Sequence, residues 1–182
     1  KLLKTFPDKA KIEVFGREAV AVLAQLTSES TLSGALENLA SSSSSTLAQE
    51  KIESEFLVDR DGVVFLKDRL DNLPVIYFLG GALNTGNSVG EGLIKSSLKI
   101  LEKLKSFEVE IKDAKIYSQN ILLIIPDTQK PRIIFAMDKN IEVQLASLQL
   151  ILTQAKIDMQ EMEFIDLRYD KPIVKYVPGK NE

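Results

Sequence analysis

The stretch from residue 163 to residue 176, Glu-Phe-Ile-Asp-Leu-Arg-Tyr-Asp-Lys-Pro-Ile-Val-Lys-Tyr, predicts two β-strands that fold back through a short polar turn. Strand side chains alternate between two faces, so the odd-numbered residues from 163 to 169 are expected to share one face. In the second strand, residues 172, 174 and 176 are expected on one face and residues 173, 175 and 177 on the other. No later strand is available to pair with residues 171–176, so they are expected to form a sheet edge, which is the main functional candidate.

The composition is that of an ordinary globular protein. The chain has 182 residues, of which 45% are hydrophobic and 27% are charged, enough for one domain or one and a half. Its net charge of −3 gives no electrostatic reason to expect nucleic-acid binding, which usually requires a concentrated basic face. The lysine-rich run at residues 95–105 is interpreted as the solvated face of a helix.

The chain contains no cysteine and no histidine. This excludes zinc sites of the Cys/His type, cysteine nucleophiles and histidine-based triads, and no cofactor is predicted. No apolar run approaches the roughly 18 to 20 residues that a membrane helix needs. The sequence begins at Lys1 without an initiator methionine or a leader, so it is interpreted as a fragment whose upstream part is missing.

The first 54 residues divide into two parts. A turn at residues 6–8 precedes two apolar alternations, at 12–14 and 20–22, which predict strands; two strands cannot be stable alone, and they are interpreted as the tail of a missing upstream domain. Residues 27–54 are rich in Ser and Thr, with five serines at 41–45. Such a segment buries too little apolar surface to offset its ordering entropy, so a flexible insertion is expected, cut first in limited proteolysis.

The Asp-x-Asp-Gly sequence formed by Asp59, Asp61 and Gly62 has two interpretations. It lies between apolar runs at 56–58 and 63–65, so the first interpretation is a hairpin turn in which Asp59 caps the backbone and Gly62 takes a positive φ. The second is the nucleophile loop of a haloacid-dehalogenase-type phosphatase. That chemistry also requires a later acidic pair for magnesium, and the sequence has no later Asp-Asp pair. The segments that follow are interpreted as antiparallel pieces rather than strand-helix-strand units.

The rest of the chain alternates between strands and helices. Two apolar stripes with three- and four-residue spacing predict helices at about 91–106 and 141–155. Strands are predicted at residues 73–78, 107–111, 116–117, 121–125 and 132–137. The glycines between residues 80 and 90 lack the spacing of a phosphate-binding loop. The expected fold class is α+β, a mainly antiparallel sheet with two packed helices, preceded by the last strands of an upstream domain.

Asp166 and Arg168 are two residues apart on one strand face. They have the chemistry of an acid and an anion clamp, but no nucleophile or histidine accompanies them. A structural ion pair is therefore the favoured interpretation.

Four motifs occur in order along the chain. They are Phe6-Pro7-Asp8 followed by Ile12-Glu13-Val14 and Arg17-Glu18-Ala19-Val20-Ala21; Phe56-Leu57-Val58-Asp59-Arg60-Asp61-Gly62-Val63-Val64-Phe65; Leu73-Pro74-Val75-Ile76 with Gly80; and Ile165-Asp166-Leu167-Arg168-Tyr169. In this order they resemble the FtsQ/DivIB family of bacterial cell-division proteins. The first resembles the end of the polypeptide-transport-associated (POTRA) domain of that family, the second and third resemble the opening of its β domain, and the fourth resembles its closing signature.

The resemblance spans nearly the whole chain except residues 27–54. Two departures concern the junction between the domains: Ala19 stands where the family often has proline, and the Ser-rich insertion is longer than the family connection. The domains implied are the end of a POTRA domain at 1–26, the insertion at 27–54 and the β domain at 55–182.

The resemblance implies a non-enzymatic scaffold of the divisome that acts in septum formation. Relatives have one membrane helix upstream and place these domains on the extracytoplasmic side, so the full-length protein is expected in the cell membrane. The implied partners are the small coiled-coil division proteins of the FtsB/DivIC and FtsL types, which bind by adding a strand at the last β edge. The implied partner-binding residues are Tyr169, Lys171, Ile173, Val174, Lys175 and Tyr176.

Two other functions remain open from the sequence. One is an interaction module of other envelope or secretion machinery, which several POTRA repeats upstream would favour. The other is the Asp-x-Asp phosphatase, which magnesium-dependent release of phosphate from a generic ester would reveal.

Overall fold

The computed structural model describes residues 16–27, 52–81, 83–90, 92–117, 120–128, 131–154 and 161–177. These residues form one nine-stranded sheet and two helices. The strands are β1 (Ala21–Leu26), β2 (Ile52–Val58), β3 (Val64–Leu66), β4 (Val75–Phe78), β5 (Ile111–Tyr117), β6 (Ile121–Pro126), β7 (Arg132–Ala136), β8 (Met162–Asp166) and β9 (Ile173–Tyr176). The helices are α1 (Leu93–Ser106) and α2 (Ile141–Gln154). The Ser-rich insertion lies almost entirely outside the described residues.

The order of strands across the sheet is β3-β2-β1-β4-β5-β6-β7-β8-β9. Five of the eight neighbouring pairs are antiparallel and three are parallel. The predicted α+β class, a mainly antiparallel sheet with two packed helices, is confirmed.

The parallel pairs correct one expectation. β4 pairs with β5 and β7 pairs with β8 in parallel, and each pair is connected through a helix, α1 or α2. The interpretation of these segments as purely antiparallel pieces is therefore wrong. Parallel neighbours require a crossover of a dozen or more residues, and a helix supplies it.

Both predicted helical stripes are buried. In α1, Leu98, Leu101 and Leu104 lie in the main hydrophobic cluster, and α2 adds Leu145 and Leu148. The strands supply most of the remaining members of this cluster, so it lies between the sheet and the helices. Its burial, at about 25 cal/mol per Å² of apolar surface, is the main stabilising contribution to the fold.

The position of β1 differs from the assignment of residues 20–26 to an upstream domain. β1 lies inside the sheet, antiparallel to β2 and parallel to β4. Leu23 packs in the main cluster while Val22 and Ala24 pack in a second cluster, so both faces of the strand are buried. A short apolar run does not reveal from the sequence which strands it will pair with. The expected POTRA strand at residues 12–14 lies outside the described residues.

The strand predicted at residues 107–111 is wrong, because this alternating stretch forms the end of α1 instead. The Glu108 N–H donates to the Lys105 carbonyl at 3.1 Å and the Val109 N–H donates to the Leu104 carbonyl at 3.1 Å. Glu108 has a φ of 61°. This is the Schellman arrangement, and Val109 joins Leu104 in the main cluster. Strand β5 begins only at Ile111.

Replacing Glu108 with Gly is expected to stabilise the protein by about 0.5 to 1 kcal/mol, because an L-residue is strained in the left-handed region and glycine is not. Urea denaturation of both proteins measures the difference. Asn120→Gly is the matched control: Asn120 has a φ of 56°, and asparagine tolerates this region better, so its gain should be smaller. Equal or lower stability of the Glu108→Gly protein would contradict the assignment of strain to this residue.

The predicted hairpin at residues 56–65 is confirmed as β2 and β3. The Asp59 carboxylate accepts hydrogen bonds from the Asp61 N–H at 3.0 Å and the Val63 N–H at 2.8 Å, and it pairs with Arg17. Gly62 has a φ of 80°. Asp59 therefore caps the turn and Gly62 takes the positive φ, as predicted.

The terminal hairpin is shorter than predicted. Strand β8 ends at Asp166 rather than at residue 169, and β9 begins at Ile173 rather than at residue 171. The register between the two strands also shifts between Met162 and Phe164, which marks a β-bulge at Glu163. The bulge breaks the alternation, because Met162 and Ile165 are both buried in the main cluster.

Candidate functional site

β9 is the outermost strand at one end of the sheet. It pairs antiparallel with β8, with Val174 opposite Ile165 and Ile173 opposite Asp166. No described residue pairs with the other side of β9. The predicted edge strand is therefore present, with the bounds of β9.

The hydrogen bonds fix which backbone groups of β9 point outwards. The Val177 N–H donates to the Glu161 carbonyl at 2.8 Å, so Val177 faces β8. Backbone groups alternate in direction along an antiparallel strand, so Ile173 and Lys175 also face β8. The N–H and C=O groups of Val174 and Tyr176 therefore point to the open edge.

The side chains of the edge region combine a buried anchor with exposed apolar groups. Val174 packs against the main cluster. Tyr169, Ile173 and Tyr176 are 53%, 48% and 44% exposed, which is unusual for large apolar side chains. Exposed apolar side chains next to unpaired backbone groups are typical of a binding edge.

The opposite edge of the sheet, formed by β3, is covered. The Val64 N–H donates to the Asn87 carbonyl at 2.9 Å, and the Gly86 N–H donates to the Val64 carbonyl at 2.7 Å. Just before β3, Val63 forms an isolated bridge with Ser88. The glycine-containing loop between β4 and α1 therefore shields this edge, and β9 is the open edge of the sheet as far as the structure is described.

A row of charged side chains crosses the last three strands. Glu163 on β8 lies 3.8 Å from Arg132 on β7 and 2.9 Å from Lys175 on β9, measured between the charged atoms. The Lys175 ammonium also lies 5.7 Å from the centre of the Phe164 ring. We call Arg132, Glu163 and Lys175 the charge ladder. Its alternating signs extend from β7 to the open edge.

The predicted ion pair between Asp166 and Arg168 is present. Arg168 donates to both oxygens of the Asp166 carboxylate, through Nε at 2.9 Å and Nη2 at 2.6 Å. This hydrogen bond raises the pKa of Arg168 above its ordinary value. The guanidinium carbon lies 5.7 Å from the centre of the Tyr169 ring. The pair therefore holds the start of the β8–β9 connection and supports the exposed ring.

The six predicted site residues fall into two groups. Ile173, Val174, Lys175 and Tyr176 form β9, whereas Tyr169 and Lys171 lie in the connection before it. Lys139 lies 3.5 Å from Asp170, which ties the connection to the residues just before α2. The structure thus brings all six to one end of the sheet.

Sequence reasoning missed Arg132 and Glu163, the two members of the charge ladder on neighbouring strands. Glu163 was expected on the face of Ile165, and the bulge places it with Lys175 instead. Arg132 belongs to a strand 31 positions earlier in the chain, and only the parallel pairing of β7 with β8 brings it close. An isolated arginine at a strand start carries no signal of that pairing.

A profile of the family described as "Cell division protein FtsQ/DivIB, C-terminal" matches residues 46–168 of the chain. The chain belongs to the FtsQ/DivIB family. Its role is therefore in cell division. The match covers more than half of the chain and ends just before Tyr169, so the argument for β9 rests on geometry. No curated protein matches the chain.

Membership of the FtsQ/DivIB family places the Asp-x-Asp-Gly sequence in a structural turn, as the geometry of Asp59 also indicates. Neither described helix of this family member is long and apolar enough to cross a membrane. The candidate site of this FtsQ/DivIB chain is thus the open edge formed by β9.

Proposed function

We propose that this chain is a non-enzymatic scaffold of the divisome that binds FtsB/DivIC-like and FtsL-like coiled-coil proteins by strand addition at β9. The observation that carries the proposal is the outward direction of the Val174 and Tyr176 backbone groups on an open edge. In strand addition, backbone hydrogen bonds supply affinity, and alternate side chains supply register and specificity.

The composition of the edge supports this proposal. Pro172 has no N–H and precedes β9, where proline is tolerated because it interrupts no ladder bond. Tyr169 presents a large ring beside the edge, and tyrosine is enriched among the residues that dominate binding energy. An incoming strand would therefore meet backbone partners at β9 and an aromatic anchor at the connection.

The proposal includes a setting for the domain. Residues 55–182 form the β domain, with β1 completing its sheet, and the residues before it form the end of a POTRA domain joined through the Ser-rich insertion. The full-length protein spans the cell membrane once upstream of Lys1 and exposes these domains on the extracytoplasmic side. It uses no cofactor.

Replacing Val174 with Pro is expected to abolish partner binding, because proline removes an outward N–H and cannot be accommodated in the new ladder. The measurement is titration with the extracytoplasmic segments of the FtsB/DivIC-like and FtsL-like proteins encoded in the same genome. Val174→Thr is the matched control, since threonine keeps the N–H and nearly the same shape. Circular dichroism establishes that each variant is folded. Full affinity in a folded Val174→Pro protein would refute strand addition, and the exposed side of α2 would be the next surface to test.

Replacing Tyr169 with Ala is expected to weaken partner binding by about 1 to 3 kcal/mol, because the ring is mostly exposed and already oriented by Arg168. Tyr169→Phe separates the ring from its hydroxyl and should retain most of the affinity. The same titration measures both variants. Unchanged affinity of the Tyr169→Ala protein would remove this residue from the interface.

A further inference from the structure

Lys175 has a distinct position on the edge strand. Its backbone groups face β8, so an antiparallel strand added to β9 would meet Lys175 in a non-hydrogen-bonded pair. Side chains directly opposite each other are closest in such pairs. The chemical character of the residue opposite Lys175 therefore affects pairing more than that of any residue opposite the outward groups.

The charge ladder leaves a positive charge next to the open edge. Glu163 is one carboxylate shared by two cations, Arg132 and Lys175. Its side chain is 12% exposed, whereas that of Lys175 is 36% exposed. The signs run positive, negative, positive from β7 to β9, so an acidic side chain on an added strand would continue the alternation.

A second copy of this chain is the competing occupant of any open edge. Only Val174 and Tyr176 of β9 point outwards, so the antiparallel register that bonds all of these groups pairs Val174 of each copy with Tyr176 of the other. That register places Lys175 directly opposite Lys175. The alternative register, centred on Val174, places Pro172 opposite Tyr176 and loses a hydrogen bond, because proline has no N–H.

We propose that Lys175 determines which strand the edge accepts: it selects a partner strand with an acidic side chain opposite it, and it disfavours a second copy of this chain. This inference rests on the proposed function, because it assigns the chemistry of the strand that binds at β9. Like charges directly opposite each other destabilise strand pairing, whereas opposite charges stabilise it.

Self-association of the protein alone provides the first test. Lys175→Val is expected to strengthen dimerisation at least about tenfold in sedimentation equilibrium, since a β-branched pair replaces a like-charge pair. Lys171→Val is the matched control, because it removes the same charge from the connection outside β9 and should leave the dimerisation constant unchanged. Adding Val174→Pro to the Lys175→Val protein should remove the gain. Equal self-association of the two single variants would overturn the rejection of a second copy.

Partner binding provides the second test, with the extracytoplasmic segment of the FtsB/DivIC-like protein from the same genome as the probe. Salt screens exposed charges over about 10 Å at 0.1 M. Raising NaCl from about 0.05 to 0.5 M should therefore weaken partner binding while it strengthens self-association of the wild-type protein. Lys175→Gln should lower partner affinity about three- to tenfold at low salt and flatten the salt dependence.

The two proposals fail in different ways. If Lys175→Gln binds the partner with wild-type affinity and salt dependence while Val174→Pro abolishes binding, strand addition stands and the role of Lys175 is overturned. If Val174→Pro binds normally, the proposed function itself is overturned.

Discussion

Replacing Gly62 with Val is expected to lower the free energy of unfolding by about 2 to 4 kcal/mol, through backbone strain and overpacking together. Gly62 has a φ of 80°, which a β-branched residue rarely adopts. A Cβ atom there would also lie 2.9 Å from a methyl carbon of Val89. The Val89 N–H donates to the Gly62 carbonyl at 2.8 Å, so neither segment moves away freely. Urea denaturation measures the loss.

Two control variants separate the causes. Gly62→Ala in a Val89→Ala background keeps the strained φ but removes the contact, so the difference from Gly62→Ala alone measures overpacking. Asp59→Asn keeps an oxygen for the two backbone N–H groups and loses only the half-exposed Arg17 pair, so it should cost about 1 kcal/mol or less. Equal, negligible losses for Gly62→Val and Asp59→Asn would contradict the turn described above.

Replacing Gln144 with Glu is expected to destabilise the protein by about 3 to 5 kcal/mol at pH 7, because it buries a charge without a partner. The Gln144 side chain is 5% exposed. Its Nε2 donates to the Ala136 carbonyl at 2.8 Å, and its Oε1 accepts from the Ala136 N–H at 2.8 Å. β8 pairs with β7 only as far as Ile134, so the side-chain amide takes the place of a strand at Ala136.

The Gln144→Glu variant also makes a prediction about pH. A protonated glutamic acid has one donor and one acceptor, so it restores both bonds to Ala136. Burial raises the folded-state pKa of the new carboxyl above its unfolded value, so the variant gains stability relative to wild type as the pH falls through the folded pKa. Denaturation of both proteins at pH 7 and near pH 4 measures the difference. A pH-independent difference would show that the new carboxyl is not buried against Ala136, and Gln144→Leu, which cannot titrate, is the control.

The sequence predicts local structure here far better than pairing. Gly62 and Asp59 were identified correctly because a turn depends on the chemistry of four adjacent residues. The helical stripes of α1 and α2 were equally local. β1 and the parallel pairs were not predicted, since the partners of β1 lie as much as 50 positions away and apolar strands carry no address.

Periodicity alone misled at residues 107–111 and at Glu163. Alternation from Phe107 to Ile111 has the period of a strand, but the backbone bonds at the end of α1 and the burial of Val109 outweigh it. A bulge is likewise invisible to a period of two, because one extra residue reverses the faces of everything before it. The six candidate residues were located because an edge follows from chain order, whereas the charge ladder required the tertiary pairing of β7 with β8.

The loop that covers β3 also limits how many chains can join this sheet. A sheet with two open edges can be extended at both ends, so copies that pair edge to edge grow into fibres. Closing one edge leaves a valence of one for strand pairing. Each domain then accepts a single strand and passes none on, so a complex formed at β9 is self-limiting. Any larger assembly must be built through surfaces other than the ladder of backbone hydrogen bonds.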